Sequence, residues 1–227
     1  HRFDSTRVRH GLELALWGII KKLTIADYLS VVSTAVFGHY QDYQGFMIFL
    51  GAVFYGFQVY ADFSGGMDIV RGAAQIFGVD LAVNFERPYF ACSVSEFWRR
   101  WHITLGAWMR DYFFYPLSLS GAFAKMGKKT RKVFGNYIGK KLPTFLASFF
   151  TFLLVGVWHG SSWKYVAYGL WNSVIITSSI LLDPVYKKTE EKLRINTECF
   201  SWKLFQILRT FTLISIGRIF SKATSLK

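Results

Sequence analysis

Residues 84–116 read N-F-E-R-P-Y-F-A-C-S-V-S-E-F-W-R-R-W-H-I-T-L-G-A-W-M-R-D-Y-F-F-Y-P, and residues 157–160 read V-W-H-G. In the longer stretch, tryptophan, arginine and aspartate crowd around one histidine, His102, in an otherwise apolar and aromatic segment. Glu96, Arg99, Arg100, Arg110 and Asp111 fall within two or three helical turns of it. A soluble amphipathic helix sets its charges on one face and its aromatics on the other. Here Trp98, Trp101 and Trp108 are mixed among the charges. That mixture suits a membrane interface, where an indole buries its ring and leaves its N–H near water. The spacing from Val94 to Tyr115 predicts a helix ended by Pro116. Its charges forbid bare lipid, so it belongs at the interface or packed inside a ring of other helices.

Composition agrees with a membrane setting. Of 227 residues, 52% are hydrophobic, 19% aromatic and 18% charged, and the apolar residues are concentrated in runs. Twenty-three Phe and eight Trp would overfill a soluble core of this size. The net charge of +13 could point to nucleic acid, but the basic residues sit between apolar runs, which favours membrane topology instead. Cys92 and Cys199 form no C-x-x-C and no disulfide framework. No signal peptide is visible, and a start at His1 instead of Met reads as a fragment or a processed chain.

Working outward toward the start, Gly11 to Ile20 is apolar, Lys21-Lys22 interrupts, and Leu23 to Val36 resumes. This reads as a helix kinked at the interface or as two short helices. With Arg2, Arg7 and Arg9 it makes a basic end, placed on the cytoplasmic side by the positive-inside rule. Gly45 to Tyr60, extended by Ala61 and Phe63, approaches the ~20 residues that cross a bilayer core. After it, Asp62, Ser64 and Asp68 stand where a helix would leave or break within the membrane. Ionisable groups at that depth are site candidates. The alternative is that Asp62 or Ser64 caps a helix from Met67 to Phe77.

Toward the end, Lys125 to Lys141 carries seven basic residues and no acid, and reads as a solvated cytoplasmic loop. Two apolar spans follow, Pro143 to Val157 and Tyr165 to Leu182, joined by W-H-G-S-S-W and closed by Lys187, Lys188, Lys192 and Arg194. Basic residues at both outer ends predict a helical hairpin with those ends cytoplasmic and the turn away from them. At ~1.5 Å per residue, the run from Pro143 lifts His159 about 24 Å from the cytoplasmic edge. A last span runs from Leu204 to Phe220, with Arg209 and Arg218 inside or near it.

No phosphate loop, zinc-ligand spacing or G-x-S-x-G elbow occurs in the sequence. What remains is His102 and His159, each in an aromatic setting at membrane depth. A neutral imidazole near pH 7 can deprotonate a hydroxyl and return the proton to a leaving group. Either histidine alone could be a hydrogen-bonded tie between helices; both together, with Asp and Arg nearby, point to a site. His1, His10 and His39 read as solvated. The catalytic candidates are therefore His159 and His102. The candidates for substrate contact are Trp158, Trp101, Arg110, Asp111, Asp62 and Ser64, with no metal site.

Together Y-A-D-F-S-G-G-M-D-I, N-F-E-R-P-Y, S-E-F-W-R-R-W-H-I-T-L-G-A-W-M-R-D-Y and V-W-H-G-S-S-W resemble the membrane-bound O-acyltransferase family. The branch they resemble most contains the bacterial alginate O-acetyltransferase and the teichoic-acid D-alanine transfer protein. The resemblance covers nearly the whole chain. It implies one all-α polytopic domain over residues 1–227, a ring of tilted and broken helices around a central funnel, lacking flanking helices of longer relatives. It implies that His159 is the family's central histidine and His102 a second, less universal one. A thioester donor, acetyl-CoA or an acyl carrier, would come from the cytoplasm, and an exported hydroxyl acceptor from outside. No cofactor is then held tightly; the donor is a substrate.

The expected function is transfer of an acyl group, acetyl first, to hydroxyls of an exported polysaccharide or cell-wall polymer at the bacterial cell membrane. Expected partners are the bilayer, the polymer, and an acyl carrier protein or an extracytoplasmic acyltransferase; nucleic acid is not expected. The alternatives are D-alanyl transfer to teichoic acid and, in a different class, an ion- or proton-coupled transporter. A transporter predicts inverted repeats, and neither half of this chain echoes the other. The tetrahedral intermediate needs donors to its oxyanion. Trp N–H groups beside His159, the Ser161 and Ser162 hydroxyls and Arg110 are the candidates.

Overall fold

The described residues of the computed structural model, 4–223, begin at Asp4. Its carboxylate accepts from the Thr6 and Arg7 amides at 3.0 and 3.2 Å and so caps α1 (Ser5–Ile20). His1 and Arg2, placed above in a polar basic end, lie outside the described residues. Among the described residues four helices are long and apolar enough to cross a membrane, and there is no strand. The fold is all-α. By their contacts the described residues form two units, 4–86 with 222–223, and 87–221.

In the first unit, α1 passes through a π-helical stretch, Lys21–Ala26, directly into α2 (Asp27–Gly38). α3 (Phe46–Ile76) then runs back along both. The pairing of Gly11 with Gly72 and of Gly18 with Gly65 makes α1 and α3 antiparallel and lets their backbones touch. A Cβ on Gly11 would lie 2.6 Å from the Gly72 carbonyl oxygen. The two lysines that looked like an interruption do not break the helix. Lys21 pairs with Asp68 at 2.5 Å, and Lys22 with both Asp62 and Asp27 at 2.9 Å. Removing one partner of a half-buried pair such as Lys21–Asp68 leaves the other charge uncompensated.

These pairs correct the reading of Asp62 to Asp68. α3 is continuous through them, so neither a break nor a cap at Asp62 or Ser64 is present. The carboxylates are tolerated because their counter-ions come from the neighbouring helix, which a one-dimensional hydropathy pattern does not reveal. The Ser64 hydroxyl is buried inside α3 without a hydrogen-bond partner.

The second unit holds α4 (Val94–Arg100), α5 (Ile103–Met109), α6 (Tyr115–Ser118), α7 (Gly121–Trp158), α8 (Trp163–Lys192) and most of α9 (Phe200–Lys222). The helix expected from Val94 to Tyr115 is in pieces. It breaks after Arg100, resumes at Ile103, and loosens into a π-helical stretch at Arg110–Phe114. Pro116 does not end it. Pro116 is the second residue of α6, which follows directly on that π-helical stretch.

The basic run Lys125–Lys141 is not a loop either. α7 reverses at Gly135, whose φ of 84° and ψ of 174° suit glycine alone. The arm before Gly135 folds back on the arm after it. A Cβ on Gly139 would meet that of Arg131 at 2.6 Å, and one on Gly127 would meet the Gly139 oxygen at 2.8 Å. The lysines on both arms still face outward, save the half-buried Lys141. Arms packed through glycines bury no charge, so the run can be helical and solvated at once.

The predicted hairpin of α7 and α8 is present, with its turn at residues 159–162. Gly156 on α7 meets Gly169 on α8, where an added Cβ would lie 2.7 Å from the Gly169 Cα. The Ser173 hydroxyl donates to the Phe149 carbonyl at 2.9 Å. Gly156→Val therefore forces the helices apart, at a cost of about 1–3 kcal/mol of overpacking. The monodisperse fraction after detergent extraction should fall sharply, while the exposed Gly121→Ala stays at wild-type level.

Topology can be tested at the two basic ends. Each Lys or Arg costs about 2.5–3.5 kcal/mol at a bilayer centre, so neither end belongs in lipid. Gly127 is buried in the α7 hairpin and would make a poor reporter, whereas Lys129 and Thr189 are exposed. Single cysteines at those two positions, in a background lacking Cys92 and Cys199, should resist an impermeant thiol reagent until cells are opened. Labelling of either from outside reverses the orientation.

Candidate active site

The site is built where α4 stops. Ser93 opens α4: its hydroxyl accepts from the Glu96 amide at 3.1 Å, and the Glu96 carboxylate reaches back to the Cys92 amide at 2.7 Å. This resembles the reciprocal capping of an S-x-x-E sequence, with the carboxylate accepting one residue before the cap. Glu96 also holds Arg100 at 2.6 Å, one turn on, and Arg100 reaches the Arg87 carbonyl at 3.4 Å. Glu96 and Arg100, two charges that crowd His102 in sequence, thus anchor the helix and the loop before it.

At Trp101 the backbone becomes extended, and His102 enters the left-handed region at φ 47°, ψ 55°. Outside glycine that conformation is uncommon, and histidine tolerates it better than most residues. Where it persists, surrounding packing holds it. The His102 carbonyl then accepts from the Gly106 amide at 3.0 Å as α5 begins. The break allows Trp101 to be buried while the half-buried His102 lines a cavity.

That cavity has a volume of about 260 Å³. Trp98, Arg99, Trp101, His102 and Arg110 form one wall, and Ser148, Thr151, Phe152 and Val155 of α7 another. Its lining is mainly apolar, as suits a short acyl chain. The Trp98 indole N–H is buried and has no hydrogen-bond partner. Of the oxyanion donors expected from sequence only Arg110 lines this cavity, and Trp98 was not singled out.

His159 caps the C-terminal end of α7, its amide donating to the Gly156 carbonyl at 3.0 Å. It stands in an aromatic cluster and does not itself line the cavity. Trp158 lies 5.0 Å from it ring to ring and 6.2 Å from His102, so one indole touches both imidazoles. Tyr165 stacks on His159 at 6.2 Å and Tyr168 meets it edge-on at 5.6 Å. Both tyrosines were missed from sequence; only their place one helical turn apart at the start of α8 could have flagged them. Gly160 must be glycine here, since a Cβ would come 2.7 Å from the Tyr165 ring.

Both histidines lie outside the spanning helices, and both have pKa values lowered from 6.5. For His102 the causes are burial and then the charge of His159; for His159 the cause is burial among its rings. Though much of the His159 ring is uncovered, the surrounding aromatics displace water, and that outweighs its open edge. Neutral imidazoles at pH 7 follow.

Of the residues named from sequence, His102, His159 and Trp158 come together, and Trp101 and Arg110 line the cavity. Asp111 pairs with Arg110 at 2.8 Å, an exposed ion pair at its rim. That pair lowers the Asp111 pKa and raises that of Arg110, chiefly through their hydrogen bond. Asp62 and Ser64 belong to the first unit, where Asp62 is engaged with Lys22. Among the described residues no cluster of three potential metal ligands occurs.

Two neighbouring histidines, one of them lining an apolar cavity, stand in an all-α chain with several candidate membrane spans. The profile of the membrane-bound O-acyltransferase family matches residues 23–221, and the chain belongs to that family. Over its whole length it is 33% identical to the probable alginate O-acetylase of Pseudomonas syringae pv. tomato, covering 38% of that protein. Over 96% of its length it is 28% identical to the peptidoglycan O-acetyltransferase of Helicobacter pylori, covering 36%. Over 54% of its length it is 33% identical to the teichoic acid D-alanyltransferase of Bacillus subtilis, covering 29%. The chain thus spans less than two fifths of these relatives.

Proposed function

We propose that the full-length protein is a bacterial cell-membrane O-acyltransferase that moves an acetyl group from a thioester donor to a hydroxyl of an exported polysaccharide or cell-wall polymer. The observation that carries this reading is the convergence of His102 and His159 on Trp158, beside an apolar cavity. In the reaction, neutral His159 takes the proton of the acceptor hydroxyl as its oxygen attacks the thioester carbonyl. The carbon–sulfur bond then breaks, and the proton goes to the departing thiolate. A thioester is activated enough that orientation and deprotonation of the acceptor are the main tasks. The donor is acetyl-CoA or an acyl carrier, and an acyl carrier protein or an extracytoplasmic acyltransferase would complete the route.

Acetyl is favoured over D-alanyl because the likeness to the O-acetylases runs over 96–100% of the chain, against 54% for the D-alanyltransferase. The test is mass spectrometry of wall and exopolysaccharide fractions from a deletion strain, with and without the full-length gene. Loss of O-acetyl esters, restored by the gene, is expected. Loss of D-alanyl esters alone, or of neither, overturns the assignment.

The pH dependence follows from the lowered pKa values. A base with a depressed pKa stays neutral as pH falls to 6.5 and is protonated only below it. The acid limb of kcat/KM in proteoliposomes should therefore lie below pH 6.5, the ordinary histidine value. A limb centred above 6.5 would contradict the lowered direction of both pKa values.

A further inference from the structure

Arg218 lies in α9, the last candidate span, and is 5% exposed. A buried arginine in such a helix is expensive and calls for partners. Among the described residues those partners are aromatic. Its guanidinium carbon lies 4.7 Å from the centre of the Trp101 ring and 5.3 Å from that of Tyr89. One of its nitrogens donates a short hydrogen bond to the Tyr89 hydroxyl. Tyr89 is itself held by Phe97, stacked at 6.2 Å, and by Phe211 of α9, edge-on at 5.2 Å. Phe97 and Trp101 stack at 5.5 Å.

We infer that Arg218 is a positioning residue of the acyl-transfer site: its cation, seated on Trp101, holds the helix break that sets His102 in the left-handed conformation. This rests on the reading given above of His102 as part of that site. The argument is one of adjacency and strain. Trp101 is the last residue before the strained His102, and it is 8% exposed. A left-handed histidine persists only where its surroundings hold it, and the side chain next to it is gripped by a charge that makes no ion pair among the described residues. A planar guanidinium can lie over an indole and donate to a phenol at once, which an ammonium does less well.

The test uses the full-length protein in proteoliposomes, with Arg218→Met, Arg218→Lys, Arg218→Ala and Tyr89→Phe at matched folded amounts. Arg218→Met should lower kcat at least tenfold with the KM for donor and acceptor nearly unchanged. Arg218→Lys should recover part of the loss, and Tyr89→Phe should cost only a few-fold. Added methylguanidinium should restore activity to Arg218→Ala, and ethylammonium should not. A second readout needs no turnover: ethoxycarbonylation of His102, followed peptide by peptide. It should quicken at least threefold in Arg218→Met, with His10 and His39 unchanged. If Arg218→Met does not fold, Arg218→Lys carries the same two measurements. Wild-type kcat with a wild-type His102 rate overturns the proposal, as does a loss confined to KM. Wild-type protein without any transfer would instead defeat the acyltransferase reading, and the His102 rate would still decide the role of Arg218.

Discussion

His159→Ala, made in the full-length protein, should remove acyl transfer while leaving insertion and abundance intact. A positioned general base is worth on the order of 10²–10⁴ in rate, and the loss should fall in that range. The structural cost should be small. The His159 backbone lies in the ordinary right-handed region, and its amide bond to Gly156 needs no side chain. Its ring neighbours, Trp158, Tyr165 and Tyr168, sit on helices anchored elsewhere. Ester content of the polymer, measured by mass spectrometry at matched expression, is the readout. Wild-type ester content would remove His159 from the reaction.

His102 requires two substitutions, because its backbone and its ring contribute separately. The left-handed conformation costs a residue with a Cβ roughly 1–2 kcal/mol, and glycine nothing. His102→Gly therefore removes the imidazole with the backbone at ease, and His102→Ala removes it with the strain retained. Both should lower transfer by about ten- to a hundredfold, less than His159→Ala, since water in the cavity can replace a supporting group in part. Abundance of His102→Gly should match wild type. Activity restored in His102→Gly but lost in His102→Ala would make the residue a backbone element and not part of the chemistry.

Hydropathy and charge were enough to read the spans, because burial in lipid is a property of local composition. The last three spans, the tight turn W-H-G-S-S-W and the basic ends of the α7–α8 hairpin all follow from runs of residues along the chain. The two histidines were legible as well, since an imidazole in an apolar aromatic setting is unusual wherever it folds.

Other features depend on residues far apart in the chain. Lys21 and Lys22 looked like a break until Asp68 and Asp62, over forty and exactly forty positions on, supplied counter-ions from α3. The basic run after Gly121 looked like a loop because its charges exclude lipid, yet glycines 127 and 139 let it fold on itself. The helix break at His102 carries neither glycine nor proline. Beside it Trp101 is seated under Arg218, 117 positions later, and no local rule contains that contact. What the sequence alone determined was which segments are long and apolar enough to span a membrane, and where its unusual histidines lie. Tertiary structure decided which charges neutralise one another and which imidazole faces the cavity, because both are set by packing between helices.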